Sequence, residues 1–190
     1  MNIERIAEKY IETIQAINVC RENNFLEPAI RLLYCAIDPL SWLYSDQTNV
    51  DKRHVRTEYE TWVDTFLLPE LKKHGCECTA TELYFARCSQ LHTFSAIAKN
   101  QKNTRVLAYV LGDNEHFEKV VHNLPEIEKS SNGTKFVLVR VECLVNSFIE
   151  ATHTFFRLIE ENETLHNNVI AKADNYYTPL DFTKLNFEVI

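Results

Sequence analysis

Apolar residues recur at helical spacing along most of this chain, and that pattern limits the fold more than any other feature. Ile3, Ile6, Ala7, Tyr10, Ile11, Ile14 and Ile17 form one stripe at i, i+3, i+4, i+7, which predicts an amphipathic helix over 3–21. Phe25, Ala29, Leu32, Leu33, Ala36 and Ile37 repeat it over 25–37 after a stop at Asn23-Asn24. Val55, Tyr59, Trp62, Val63, Phe66 and Leu67 build a third stripe that should stop before Pro69. Val141, Leu144, Val145, Phe148, Ile149, Thr152, Phe155, Phe156 and Ile159 make the longest one. It continues through Leu165, Val169 and Ala173, so one helix is expected over about 141–173. With only 3 Gly and 5 Pro there are few obligatory turns, which favours helices over a sandwich or barrel.

The interruptions are informative. Asp38-Pro39 falls where the second helix should end, yet Leu40 to Tyr44 stays apolar, so a bend is expected rather than an exit. Residues 69–78 read as a loop containing Gly75. Thr79 then stands three residues before Glu82, the T-x-x-E pattern of a capping box, and starts a helix that should run to Leu91 or His92. Val106 to Leu111 and Lys135 to Val139 favour strands, the second preceded by the turn signal S-S-N-G. Leu185 to Ile190 alternates apolar and polar residues in the manner of a third strand. The expected organisation is one mainly α domain over 1–190. It has a helical bundle over 1–95, short strands at about 104–111 and 135–140, the long helix and a tail over 174–190.

Composition excludes several function classes. No run of about 18 apolar residues offers a membrane span. The opening M-N-I-E-R-I-A-E-K-Y lacks the apolar run of a signal peptide, so a cytoplasmic location is expected. The six cysteines then read as reduced thiols. Cys76-Glu77-Cys78 with His74 has no second half-site, and neither a metal nor a cofactor is expected. A net charge of −7 opposes broad binding to nucleic acid. Basic residues do gather at Lys52-Arg53-His54 with Arg56, at Lys72-Lys73-His74, and at Lys99, Lys102 and Arg105, and each group reads as a solvated helix end or loop. Phosphate-loop, dinucleotide, zincin and nucleophile-elbow motifs are absent from the sequence.

The helix ending in A-R-C-S-Q-L-H carries the residues best suited to chemistry, Arg87 and His92. Arg presents a fixed cationic fork that matches phosphate oxygens. His takes and gives a proton near neutral pH. Together they suffice for metal-independent RNA cleavage. His assists attack of the 2′-OH or protonates the leaving group, and Arg stabilises charge on the phosphoryl oxygens. Five residues on a straight helix separate them by about 140°. They converge only if the chain bends at His92, or across a two-fold axis between copies. Glu82, Cys88 and Ser89 lie on the same helix and could line a cleft beside Arg87, while Glu82 also fits as the capping-box partner.

R-C-S-Q-L-H resembles the R-x4–6-H motif of the HEPN superfamily. The wider stretch E-L-Y-F-A-R-C-S-Q-L-H-T-F-S, with Y-E-T-W-V-D-T-F-L before it and F-V-L-V-R-V-E-C-L-V-N-S-F-I-E after it, is similar to a group of uncharacterised bacterial HEPN-like proteins. The similarity spans roughly residues 25 to 160, with Arg87 and His92 as its motif residues. It implies a HEPN-like helical bundle with a small β element in the C-terminal half, forming a homodimer whose two motifs share a cleft. It also implies an RNA endonuclease of a defence or toxin–antitoxin system, with RNA and an antitoxin or other protein as partners. Arg87 would bind phosphate and His92 would be the acid/base. The chain departs from active members at Cys88, where Asn, Asp or His often orients the pair. A catalytically inactive HEPN-like module that binds RNA, a nucleotide or a protein is therefore the first alternative. A plain helical interaction protein, with Arg87 and His92 in structural roles, is the second.

Overall fold

The structure, a computed structural model, describes residues 3–92 and 105–176. The element order is α1 (Ile3–Glu22), α2 (Leu26–Tyr44), α3 (Val55–Trp62), α4 (Leu68–Lys73), α5 (Ala80–His92), β1 (Val106–Val110), α6 (Asn114–Ser130), β2 (Phe136–Arg140), α7 (Val141–Glu161) and α8 (Glu163–Tyr176). The mainly α expectation holds, with a small β element in the C-terminal half. The expected strand at Leu185–Ile190 lies outside the described residues.

α1 stops where the sequence predicts. Asn24 takes a left-handed φ of 62°, and the amide of Phe25 donates to the carbonyl of Cys20 at 2.7 Å, closing the helix end. α2 is the central element. It buries Ala29, Ile30, Leu33, Tyr34, Ala36, Ile37, Leu40, Trp42 and Leu43 and runs through Pro39 without ending. Burial of Leu40, Trp42 and Leu43 beyond the proline outweighs the one helical hydrogen bond that Pro39 cannot donate.

Three expectations need correction. The third helix does not stop before Pro69. A π-helical turn at Val63–Leu67 carries the chain from α3 into α4, where Pro69 sits in the first turn and its missing N–H costs little. The expected loop over 69–78 is thus helical to Lys73, and Gly75 (φ +73°) ends the helix. The long helix over 141–173 is two helices, because Asn162 leaves helical geometry and its Oδ1 caps α8 by accepting from the amide of Leu165 at 2.9 Å. Between the strands stands α6, which the β-element reading did not contain. Its start is marked by Asp113, whose side chain accepts from the amide of His116 at 2.8 Å.

β1 and β2 pair in parallel, Val106 opposite Phe136 through Val110 opposite Arg140. α6 is the crossover that a parallel pair requires. β2 leads directly into α7, whose buried face (Leu144, Val145, Phe148, Phe155, Ile159) packs on α4 and the π-helical turn. At that seam Phe155, Phe66, Trp62 and Tyr44 meet edge-on or tilted, with ring centroids 5.0–6.3 Å apart. α5 lies against α3, α2 and β1, which places Arg87 over the C-terminal half of α2.

Candidate functional site

α5 starts as its sequence dictates. The amide of Thr79 donates to Glu82 Oε2 at 2.8 Å, and the amide of Glu82 donates to Thr79 Oγ1 at 3.2 Å, so two of the unpaired donors at the helix start are satisfied reciprocally. Fixing that start places Arg87 almost two turns along and His92 at the last residue of the helix. The side chain of His92 lies outside the described residues.

Arg87 meets a residue 49 positions earlier. Its Nε donates to Asp38 Oδ2 at 3.2 Å, its Nη2 donates to the same oxygen, and its Nη1 faces the Cys88 thiol at 3.8 Å. Both partners are largely shielded, with side-chain exposures of 14% and 23%. Burial works against the guanidinium charge, and the hydrogen bond and charge of Asp38 outweigh it, so Arg87 is held protonated. Asp38 Oδ1 is buried with no hydrogen-bond partner among the described residues. The Tyr59 hydroxyl is also buried and without such a partner. Burial first, and the Asp38 charge second, push Tyr59 well above the ordinary phenol range. Tyr34, one helical turn before Asp38, shares a 2.5 Å hydrogen bond with Tyr109 of β1. Tyr84 meets Tyr59 edge-on, with ring centroids 5.6 Å apart.

The remaining expected site residues divide. Cys88 is half-buried beside Arg87. Glu82 is buried at the helix start, where it also pairs with Arg105 (Nε to Oε1, 2.8 Å), away from any cleft at Arg87. Ser89 is buried and donates to the carbonyl of Phe85 at 3.0 Å. The structure therefore joins Arg87 and Cys88 to Asp38 and sets Glu82 and Ser89 apart from them. Tyr59 and Trp62 are wholly buried and offer no stacking surface. The basic patches are largely engaged with acids: Arg53 with Glu58, Arg56 with Glu60, Lys73 with Glu70 and Arg105 with Glu82. Lys99 and Lys102 lie outside the described residues.

Asp38 is the site residue that the sequence reading missed. Its signal was an acid inside an apolar run, Ala36-Ile37-Asp38-Pro39-Leu40, where burial demands a cationic or hydrogen-bonding partner. Lys172 was missed as well. It is 1% exposed and reaches from α8 to the end of α2, donating to the carbonyls of Trp42 (2.8 Å), Leu43 (3.3 Å) and Ser45. Its ammonium also sits 4.9 Å from the Trp42 ring centroid. Burial pushes its pKa down to about 8.

Chemically, the Arg87 arrangement is a cationic fork with one edge held by a carboxylate and Nη1 left to a weak thiol acceptor. A phosphate oxygen is a far stronger acceptor than that thiol. Among the described residues no group of three or more His, Cys, Asp or Glu could hold a metal ion, and no helix is long and apolar enough to cross a membrane. In comparisons with family models, curated proteins and solved structures, nothing matches this chain.

Proposed function

We propose that the protein is a HEPN-like, metal-independent RNA endonuclease that works as a homodimer, with Arg87 gripping a phosphate and His92 moving the proton. What supports this most is the way Asp38 holds Arg87. Nε and Nη2 are engaged on Oδ2, so the guanidinium plane is set in advance and Nη1 can turn from Cys88 to a phosphoryl oxygen. Asp38 is then a positioning residue for Arg87. His92, at the end of the same helix, would meet the phosphate either through a bend there or from the facing copy across a two-fold axis. Defence or toxin–antitoxin systems are the setting in which the resemblance places such an enzyme.

The test uses purified full-length chain and a mixed RNA pool with EDTA present. His92→Ala should lower cleavage by roughly 100-fold or more. Arg87→Lys, which keeps the charge beside Asp38 but loses the fork, should also lower it, with thermal unfolding near that of the parent. Equal cleavage by parent and variants would overturn the proposal.

A second reading is favoured by a specific observation. Asp38 already neutralises Arg87, and Cys88 is a weak hydrogen-bonding group beside it. That combination suits a module that binds RNA without cutting it. RNA retention that depends on Arg87, with no turnover, would select this reading.

A further inference from the structure

Cys76 and Cys78 take no part in the Arg87 site, and their thiols are in hydrogen-bonding contact. Cys76 directly follows Gly75, whose φ of +73° turns the chain out of α4. The amide of Cys76 donates back to the carbonyl of Leu71 at 3.1 Å. Cys78 directly precedes Thr79, the cap of α5. The three-residue link is therefore pinned by a helix end on each side. Arg105, just before β1, pins it as well, its Nη2 donating to the carbonyl of Glu77 at 2.8 Å while its Nε bonds Glu82. So held, the two sulfurs share a hydrogen bond at 3.6 Å.

Both thiols line a surface cavity of about 620 Å³ that is also bordered by Asp64, Leu68, Lys72 and Thr79. Burial pushes both thiols up, and the hydrogen bond they share favours a thiolate on one of the two. One sulfur is thus the better thiolate and the other keeps its proton.

We propose that Cys76 and Cys78 form a dithiol centre that exchanges with low-molecular-weight disulfides of the glutathione class and closes a disulfide within the chain. The Cys76 thiolate attacks one sulfur of R–S–S–R through the cavity. An S–S bond forms between Cys76 and R, and the other RS⁻ leaves and takes up a proton. Cys78 then loses its proton to solvent and attacks Cys76 Sγ, expelling the second R–S⁻, which is protonated in turn. The protein dithiol is oxidised by two electrons and R–S–S–R is reduced to two R–SH. The sulfurs need approach only from 3.6 Å to a bonded separation of about 2.05 Å.

Full-length protein is incubated with oxidised glutathione, the remaining thiols are blocked, and the peptide spanning Cys76 and Cys78 is weighed. The expected product has lost both thiol hydrogens and carries no glutathione. Cys78→Ser should stop at a glutathione adduct on Cys76, and Cys76→Ser should form no internal disulfide. Both variants exchange one atom and are checked for native unfolding temperature. The proposal is overturned if both thiols of the parent stay free while exposed Cys35 is modified, or if Cys78→Ser carries no adduct on Cys76.

Discussion

Arg87 and Lys172 are both cations drawn into the helical core, and they are held by different chemistry. Arg87 is ion-paired directly with Asp38, while the Lys172 ammonium donates to the carbonyls that end α2 and sits over the ring of Trp42, with Glu58 and Asp46 acting on it only through their charge. The guanidinium accordingly stays protonated, while burial lowers the ammonium to about 8. The difference separates architecture from chemistry. The Lys172 clamp satisfies carbonyls that a helix end would otherwise bury and ties α8 to α2. The Arg87 pair leaves polar capacity unspent, in Asp38 Oδ1, in the Tyr59 hydroxyl and in the Nη1 edge. Buried polar atoms left without a partner are uncommon in native folds.

The largest effect that would break this comparison is at Arg87. Arg87→Ala strands the Asp38 carboxylate, and urea unfolding should show a loss of about 2–3 kcal/mol, somewhat below the cost for a wholly buried pair. Adding Asp38→Leu to that variant should restore most of the loss, since no charge is then left behind. Lys172→Met keeps the apolar stem and removes the donors, so a smaller loss of about 1–2 kcal/mol is expected from the stranded carbonyls.

The same variant sharpens the comparison through pH. The folded pKa of Lys172 lies near 8 and its unfolded value near the ordinary 10.5, so between these the unfolded chain binds the extra proton. Stability from this group therefore rises with pH across that window, and the parent should gain on Lys172→Met there. No such gain should be seen at Arg87, which stays protonated in both states. Smallest is the cap. Thr79→Ala should cost about 1 kcal/mol and lower the unfolding temperature by a few degrees.

The sequence made some of this legible and hid the rest for physical reasons. α1, α2, α5 and α7 were readable because each buries one face, and because Asn24 and the Thr79–Glu82 box mark ends with local chemistry. The π-helical turn was hidden because it keeps helical apolar spacing through Pro69. The break at Asn162 was hidden because apolar residues resume in phase at Leu165 and Val169. α6 carries an amphipathic stripe of Phe117, Val120, Leu124 and Ile127 that the sequence reading passed over; Pro125 interrupts it, and the helix buries no residue fully. Arg87 and His92 were singled out by motif. Asp38 was not, since a contact between α2 and α5 leaves no local periodicity to read.

The central claim, that Arg87 and His92 drive attack of a 2′-OH on its own phosphate, is tested most directly by the ends of the RNA products. Wild-type protein with EDTA present should leave fragments ending in a 2′,3′-cyclic phosphate, and His92→Ala should leave the RNA intact. Intact RNA with the wild type, or fragments ending in a 3′-hydroxyl, would contradict it.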